Sequence, residues 1–188
     1  MNEQQLISRC KKGDRKALEE IISLYYMPLN RYFYSLCKDV HISQDLTHET
    51  VVKLIKNIDK YKALFGAKFS TWLFRIAYNT YIDHVRKFSL QLNEPLENYF
   101  HSLATDDHVH TEVSRKLDME ELSRVMGNLP PEMKSLIALR YLNELSYEDI
   151  GQIMGMTSKT VKWKLHNAMD KLKKLISNQN GGDRHYEF

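Results

Sequence analysis

Between Thr157 and Lys174 the chain reads TSKTVKWKLHNAMDKLKK, with six lysines against one acidic residue, Asp170. Lysines at this density draw a segment toward phosphate, and polar or aromatic side chains beside them can reach base edges in a major groove. Val161, Leu165, Ala168, Met169, Leu172 and Leu175 recur at helical spacing, which leaves Lys159, Lys162, Trp163 and His166 on other faces. The pattern is that of a helix held from one side and read from the other. The same geometry also serves as a protein-packing scaffold, and the segment alone does not separate the two.

Such a helix must be presented by its neighbours. Ser146 is placed to cap a short preceding helix, with Asp149 at its third position completing a capping box. Ile150, Ile153 and Met154 supply its buried side. Met154-Gly155-Met156-Thr157 suits the tight corner of a helix-turn-helix, and Thr157 is placed to cap the second helix. Upstream, Leu129-Pro130-Pro131 starts a helix bearing Leu136, Ile137, Leu139 and Leu142. Glu112 to Met126 is expected to open this second domain.

A second chemical group lies in the N-terminal half. Phe69-Ser70-Thr71-Trp72 enters a strong helix in which Leu73, Ile76 and Ala77 suit the core, while Arg75, Asn79, Asp83 and Arg86 fall on another side. Basic, amide and aromatic groups thus occur together with Trp72, Tyr78 and Tyr81, which is the chemistry a separated DNA strand requires. The rings serve equally well as core. Before this helix, Gln4 to Lys11 forms a short helix ending at Gly13. Asp14 begins a long one through Leu18, Ile21, Ile22 and Tyr25, with Pro28 expected to bend or interrupt it before Leu29, Tyr32, Phe33 and Leu36. Ser43 is expected to cap the next helix, whose buried side is Leu46, Val51, Leu54, Ile55 and Ile58. Asp45, Glu49, Val52 and Lys56 follow a different stripe, solvated or partner-facing.

Charge is distributed in blocks. The 188-residue chain has a net charge of only +3, yet residues 1–90 hold 15 basic and 9 acidic residues, and residues 91–112 hold five acidic and no basic ones. Ser89 to His110, with Pro95 and no sustained helical period, reads as a linker between two positive domains. Cys10 and Cys37 form neither a ligand cluster nor a disulfide framework, so a reduced intracellular setting is expected. The sequence has no secretion pattern and no apolar run long enough for a membrane span. His101, His108 and His110 are too irregular for a metal site, the glycines make no phosphate loop, and no nucleophile–base pattern is evident. A non-enzymatic protein without a metal or cofactor is the expectation.

Taken together, Gly13-Asp14, Asp45-Leu46-Thr47-His48-Glu49, Phe69 to Ala77 (FSTWLFRIA), Leu129-Pro130, Leu145 to Gly151 (LSYEDIG) and Thr160-Val161-Lys162 resemble an extracytoplasmic-function sigma factor. The resemblance spans nearly the whole chain. It implies an all-α protein of two small helical domains joined by a linker, with a C-terminal helix-turn-helix: residues 1–88 for polymerase and −10 recognition, 89–111 as linker, 112–178 for −35 recognition and 179–188 as tail. It implies core RNA polymerase and promoter DNA as partners, with an anti-sigma factor, in some cases membrane-anchored, as a regulator. No direct membrane insertion is expected, and the site of action is the cytoplasm. The polymerase contact maps onto Asp45, Glu49, Val52 and Lys56. The −10 contacts map onto Lys60, Lys62, Lys68, Phe69, Trp72, Arg75, Asn79, Asp83 and Arg86. The −35 contacts map onto Ser158, Lys159, Thr160, Lys162, Trp163, Lys164 and His166. Three positions depart from the usual pattern: His48 stands where glutamine is common, and Trp163-Lys164 replaces a serine-arginine pair. The other reading is a helix-turn-helix regulator that binds duplex DNA without joining polymerase; such a protein would not need the N-terminal signals.

Overall fold

The computed structural model describes residues 3–62, 68–92 and 126–179, and among these residues all regular structure is helical. The first unit comprises α1 (Glu3–Lys11), α2 (Arg15–Cys37), α3 (Val40–Asn57), a 3-10 turn at Ile58–Lys60 and α4 (Phe69–Leu92). Asp14 caps α2 by accepting from the backbone N–H groups of Lys16 at 3.0 Å and Ala17 at 3.2 Å. Arg9, from the last turn of α1, bridges the same carboxylate at 2.7 Å. Gly13 makes the corner between these helices at φ +82°, where a side chain would be strained.

Pro28 does not interrupt α2, which runs unbroken from Arg15 to Cys37. Ile21 on one side of the proline and Leu29, Tyr32 and Phe33 on the other are all 0% exposed, so both halves dock in one core and stay in register. Fully burying each such side chain contributes about 1.5–3 kcal/mol, comparable with the roughly 3 kcal/mol a mid-helix proline costs. The start of α3 also differs from expectation. Asp39 rather than Ser43 is the cap, accepting from Ile42 N–H at 2.8 Å, while Ser43 is buried and donates to the Val40 carbonyl at 2.8 Å. Ile55, expected inside, is 44% exposed.

Helix α4 continues to Leu92, past the expected domain limit at 88, because its apolar spacing persists through Val85 and Phe88. Most of the expected linker and the expected helix from Glu112, apart from Met126, lie outside the described residues.

The second unit contains α5 (Pro131–Ile137), which passes directly into a π-helical turn at Ala138–Leu142, then α6 (Tyr147–Met154) and α7 (Ser158–Gln179). Pro131 sits in the first turn of α5, where its missing N–H costs nothing. Leu129, Leu136, Leu139, Ile150, Ile153, Val161, Leu165, Ala168 and Leu172 form its core. The two units are in contact: α5, the π turn and α6 lie against α2 and α4. No helix among the described residues is long and apolar enough to cross a membrane.

Candidate nucleic-acid interface

The helix-turn-helix is built from caps. Ser146 Oγ accepts from the Asp149 N–H at 3.1 Å and donates to the Asp149 carboxylate at 2.7 Å, which fixes the start of α6. Gly155 ends it in the left-handed region, φ +71°, a conformation that costs other residues about 1 kcal/mol or more. The Met156 N–H then donates back to the Gly151 carbonyl at 2.9 Å. At Gly151 a Cβ would stand 2.5 Å from the Met156 carbonyl oxygen, so the turn closes directly on the helix backbone. Thr157 caps α7, accepting from the Thr160 N–H at 3.2 Å.

Burial on α7 follows a helical stripe. Val161, Leu165, Ala168 and Leu172 are buried, whereas Lys159, Lys162, Trp163 and His166 are exposed along the opposite side. Trp163 is 63% exposed and so is not part of the scaffold. Ser158, Thr160 and Lys164 are half-buried at the margins. Several basic groups are already oriented by neighbours. The Lys162 ammonium lies 5.1 Å from the Tyr147 ring centroid, Lys164 pairs with Glu132 at 2.6 Å, and His166 lies 3.3 Å from Asp170. Lys162 can swing to a phosphate at small cost; Lys164 must give up a short, part-buried ion pair.

The first unit presents a concave surface instead. Lys53, Asn57 and Lys60 on one side and Trp72, Ile76 and Asn79 on the other line a groove of about 480 Å³ between the end of α3 and α4. Lys53, Asn57 and Ile76 were not expected there. The legible signals were the i, i+4 pair at 53 and 57 and the Trp72–Ile76–Asn79 spacing, which puts three side chains on one stripe of α4. The groove's polar edge is organised: Lys60 donates to Asn57 Oδ1 at 3.0 Å, and Lys53 donates to Thr80 Oγ1 at 3.0 Å while pairing with Glu49 at 2.8 Å.

Aromatic rings support this wall from beneath. Trp72 is 5.3 Å from Tyr61 and 5.4 Å from Phe69 between ring centroids, and Tyr61 and Phe69 meet edge-on at 5.2 Å. Tyr61 also receives the Lys11 ammonium at its backbone carbonyl. Phe69 is only 1% exposed, so it backs Trp72 and presents no face to a ligand. Lys60, Lys62, Lys68, Arg75, Asn79 and Arg86 are exposed and Asp83 is half-buried, pairing with Arg86 at 3.4 Å.

On α3, Asp45, Glu49, Val52 and Lys56 are all exposed and share one stripe. Apolar groups widen that face: Ile55 and Val52 on α3, with Leu24 and Met27 on α2, are between 44% and 58% exposed. His48 lies within the same region, its Nε2 3.2 Å from the Tyr26 hydroxyl. Beneath, on α4, His84 has a buried Nε2 without a hydrogen-bond partner; burial pushes its pKa down, against the opposing pull of Glu49. Cys10 and Cys37 are free and buried, and burial pushes the Cys37 thiol up to about 12, so it is inert as a nucleophile. Among the described residues no group of three or more His, Cys, Asp or Glu side chains could hold a metal.

Known proteins share both halves of this arrangement. Residues 21–89 match Sigma-70 region 2, and residues 119–172 match Sigma-70, region 4. The ECF RNA polymerase sigma factor SigW of Bacillus subtilis (strain 168) is 31% identical over 183 residues, covering 90% of this chain and 94% of its own length. SigM of the same organism is also 31% identical, over 162 residues, covering 85% and 95%. Two solved structures share the fold with a TM-score of 0.69: CnrH in complex with the cytosolic domain of CnrY, at 17% identity over 94% of this chain and 97% of that one, and RpoE in complex with the anti-sigma factor NepR from Bartonella quintana, at 22% identity over 86% and 98%. A duplex-only regulator would have no use for the region 2 match, and that reading is set aside. The chain belongs to the extracytoplasmic-function family of RNA polymerase sigma factors, the initiation factors that direct core polymerase to promoters.

Proposed function

We propose that the sigma activity divides among three faces. Asp45, Glu49, Val52 and Lys56, with the exposed apolar residues beside them, receive core polymerase. The groove with Lys60, Lys62, Lys68, Trp72, Arg75, Asn79, Asp83 and Arg86 takes the unpaired −10 strand, with Phe69 as its internal support. The α7 stripe, Lys159, Lys162, Trp163 and His166, reads the −35 duplex, flanked by Ser158, Thr160 and Lys164. The observation that carries this reading is the groove: cationic and amide groups face a tryptophan across a concavity, which suits a base lifted from the stack with its phosphates at the rim.

In this reading residues 1–88 carry the polymerase and −10 surfaces, the segment 89–111 is the linker, with α4 running into it as far as Leu92, 112–178 form the −35 domain and 179–188 the tail. The chain does no bond chemistry. It offsets part of the cost of unpairing by binding the separated strand, while polymerase adds nucleotides. The protein acts in the cytoplasm with polymerase. Two structural neighbours were solved in complex with a partner, one with the cytosolic domain of CnrY and the other with the anti-sigma factor NepR, which supports an anti-sigma factor for this chain as well, one that covers the α3 face.

Transcription by purified core polymerase on a promoter library, with and without the chain, tests the assignment. Initiation from a shared −35/−10 pattern only when the chain is present is the expected result. Unchanged output across the library would refute it.

A further inference from the structure

The two units meet at a seam whose polar content is unusual for a permanent core. The Asp149 side chain of α6 crosses it. Thr71 Oγ1 donates to one carboxylate oxygen at 2.8 Å, and Lys68 Nζ donates to the other at 3.1 Å. Elsewhere in the seam the hydroxyls of Tyr32 on α2 and Ser135 on α5 are buried against each other, and Lys134 is 2% exposed. Polar groups buried in such a seam regain hydration when it parts, so the net gain from closure is smaller than for an apolar seam of the same size.

We propose that this seam is a latch in which the Asp149 carboxylate occupies the donors that Lys68 and Thr71 offer to a phosphodiester of the −10 strand, so that closure and strand binding exclude one another. The proposal rests on the −10 reading above. One carboxylate receiving a lysine and a threonine hydroxyl on its two oxygens reproduces what two non-bridging phosphate oxygens would receive. Thr71 directly precedes Trp72, which lines the groove, so a phosphate there is continuous with the bases beyond it. Lys68 is 65% exposed and can move with the strand, whereas Thr71 is 3% exposed and becomes accessible only when α6 leaves. Asp149 keeps its reciprocal bonds to Ser146, so opening does not dismantle the helix-turn-helix. The polymerase-facing residues on α3 are exposed in the closed chain, so docking can precede opening.

The test is a distance measurement between spin labels on the full chain at the exposed positions Glu19→Cys and Lys171→Cys, the native cysteines being buried. A random-sequence pool of short single-stranded DNA should lengthen the distance. Asp149→Asn, which preserves a capping side chain, should lengthen it without DNA and tighten strand binding roughly fivefold, the scale of an ordinary intramolecular coupling. Should Asp149→Asn also weaken α6, seen as a change in its helicity, Thr71→Val tests the same contact from the other side and should lengthen the distance too. Strand binding with unchanged distance overturns the latch alone. Opening by Asp149→Asn with no strand bound by any form overturns the −10 assignment, and the competition falls with it.

Discussion

The two faces proposed to meet nucleic acid have opposite shapes. The α7 face is convex: a regular helix pushes a 63% exposed tryptophan and three basic or imidazole side chains outward, as an intact groove requires. The α3–α4 face is concave, and its tryptophan is half-buried on a bed of Tyr61 and Phe69. A duplex is met by projecting side chains; a strand must be received into a space. The difference shows that the same residue type does different work according to what lies behind it.

Removing the supported ring should have the largest effect. Trp72→Ala takes out one wall of the groove, and initiation from duplex promoters should fall by roughly 10- to 100-fold, on the basis of about 1–3 kcal/mol for each stacked base. Core-polymerase binding should be unchanged, as a pull-down would report. Trp163→Ser is the matching change on the convex face. It should weaken −35 duplex binding by about 1 kcal/mol and alter base preference in a selection experiment, because an indole offers an apolar contact to thymine methyl groups and serine does not. If Trp163→Ser instead reduced strand binding, the contrast between the faces would be lost.

Smaller effects sharpen the contrast in stability. Gly155→Ala should destabilise the second unit by about 1 kcal/mol in thermal or denaturant unfolding, since φ +71° is strained for alanine. Lys134 gives a pH-dependent case. Burial lowers its pKa to about 8, with Cys37 pulling it back up and Lys38 lowering it further. Its neighbours in the seam include Cys37, pushed up to about 12, and Lys38, lowered by burial. Because a lysine with a depressed folded pKa is favoured neutral, stability is withheld below pH 8 and recovered as pH rises toward the ordinary lysine range. Lys134→Met removes this titration, so the stability of the parent relative to the variant should rise between pH 7 and pH 10, as unfolding followed at the two pH values would report.

Much of this was legible in the chain. The caps at Asp14, Ser146 and Thr157, the Gly155 corner and the buried α7 stripe are local features, fixed by a few neighbouring residues, and each appears where its residue type requires. The sequence suggests an interruption at Pro28 that is absent, because a proline's local cost is visible in sequence while the packing on either side is not. Ile55 looked like core because helical spacing gives a stripe's width only approximately; its exposure depends on where α2 and α4 end against α3. The groove was half visible. Trp72 and Asn79 were expected, but Lys53 and Asn57 belong to it only because α3 and α4 cross there. Asp149 was read as a cap, which it is; its second role depends on Lys68 and Thr71, about eighty residues earlier, and no local pattern carries a contact of that range.

The most direct test of the division of labour compares two double variants of the full chain bound to core polymerase, Trp72→Ala/Asn79→Ala and Lys159→Ala/Trp163→Ser. Each is titrated with a single-stranded −10 oligonucleotide and with a −35 duplex. The first should lose the strand and keep the duplex, and the second should lose the duplex and keep the strand. Equal loss of both ligands by either variant would contradict the account.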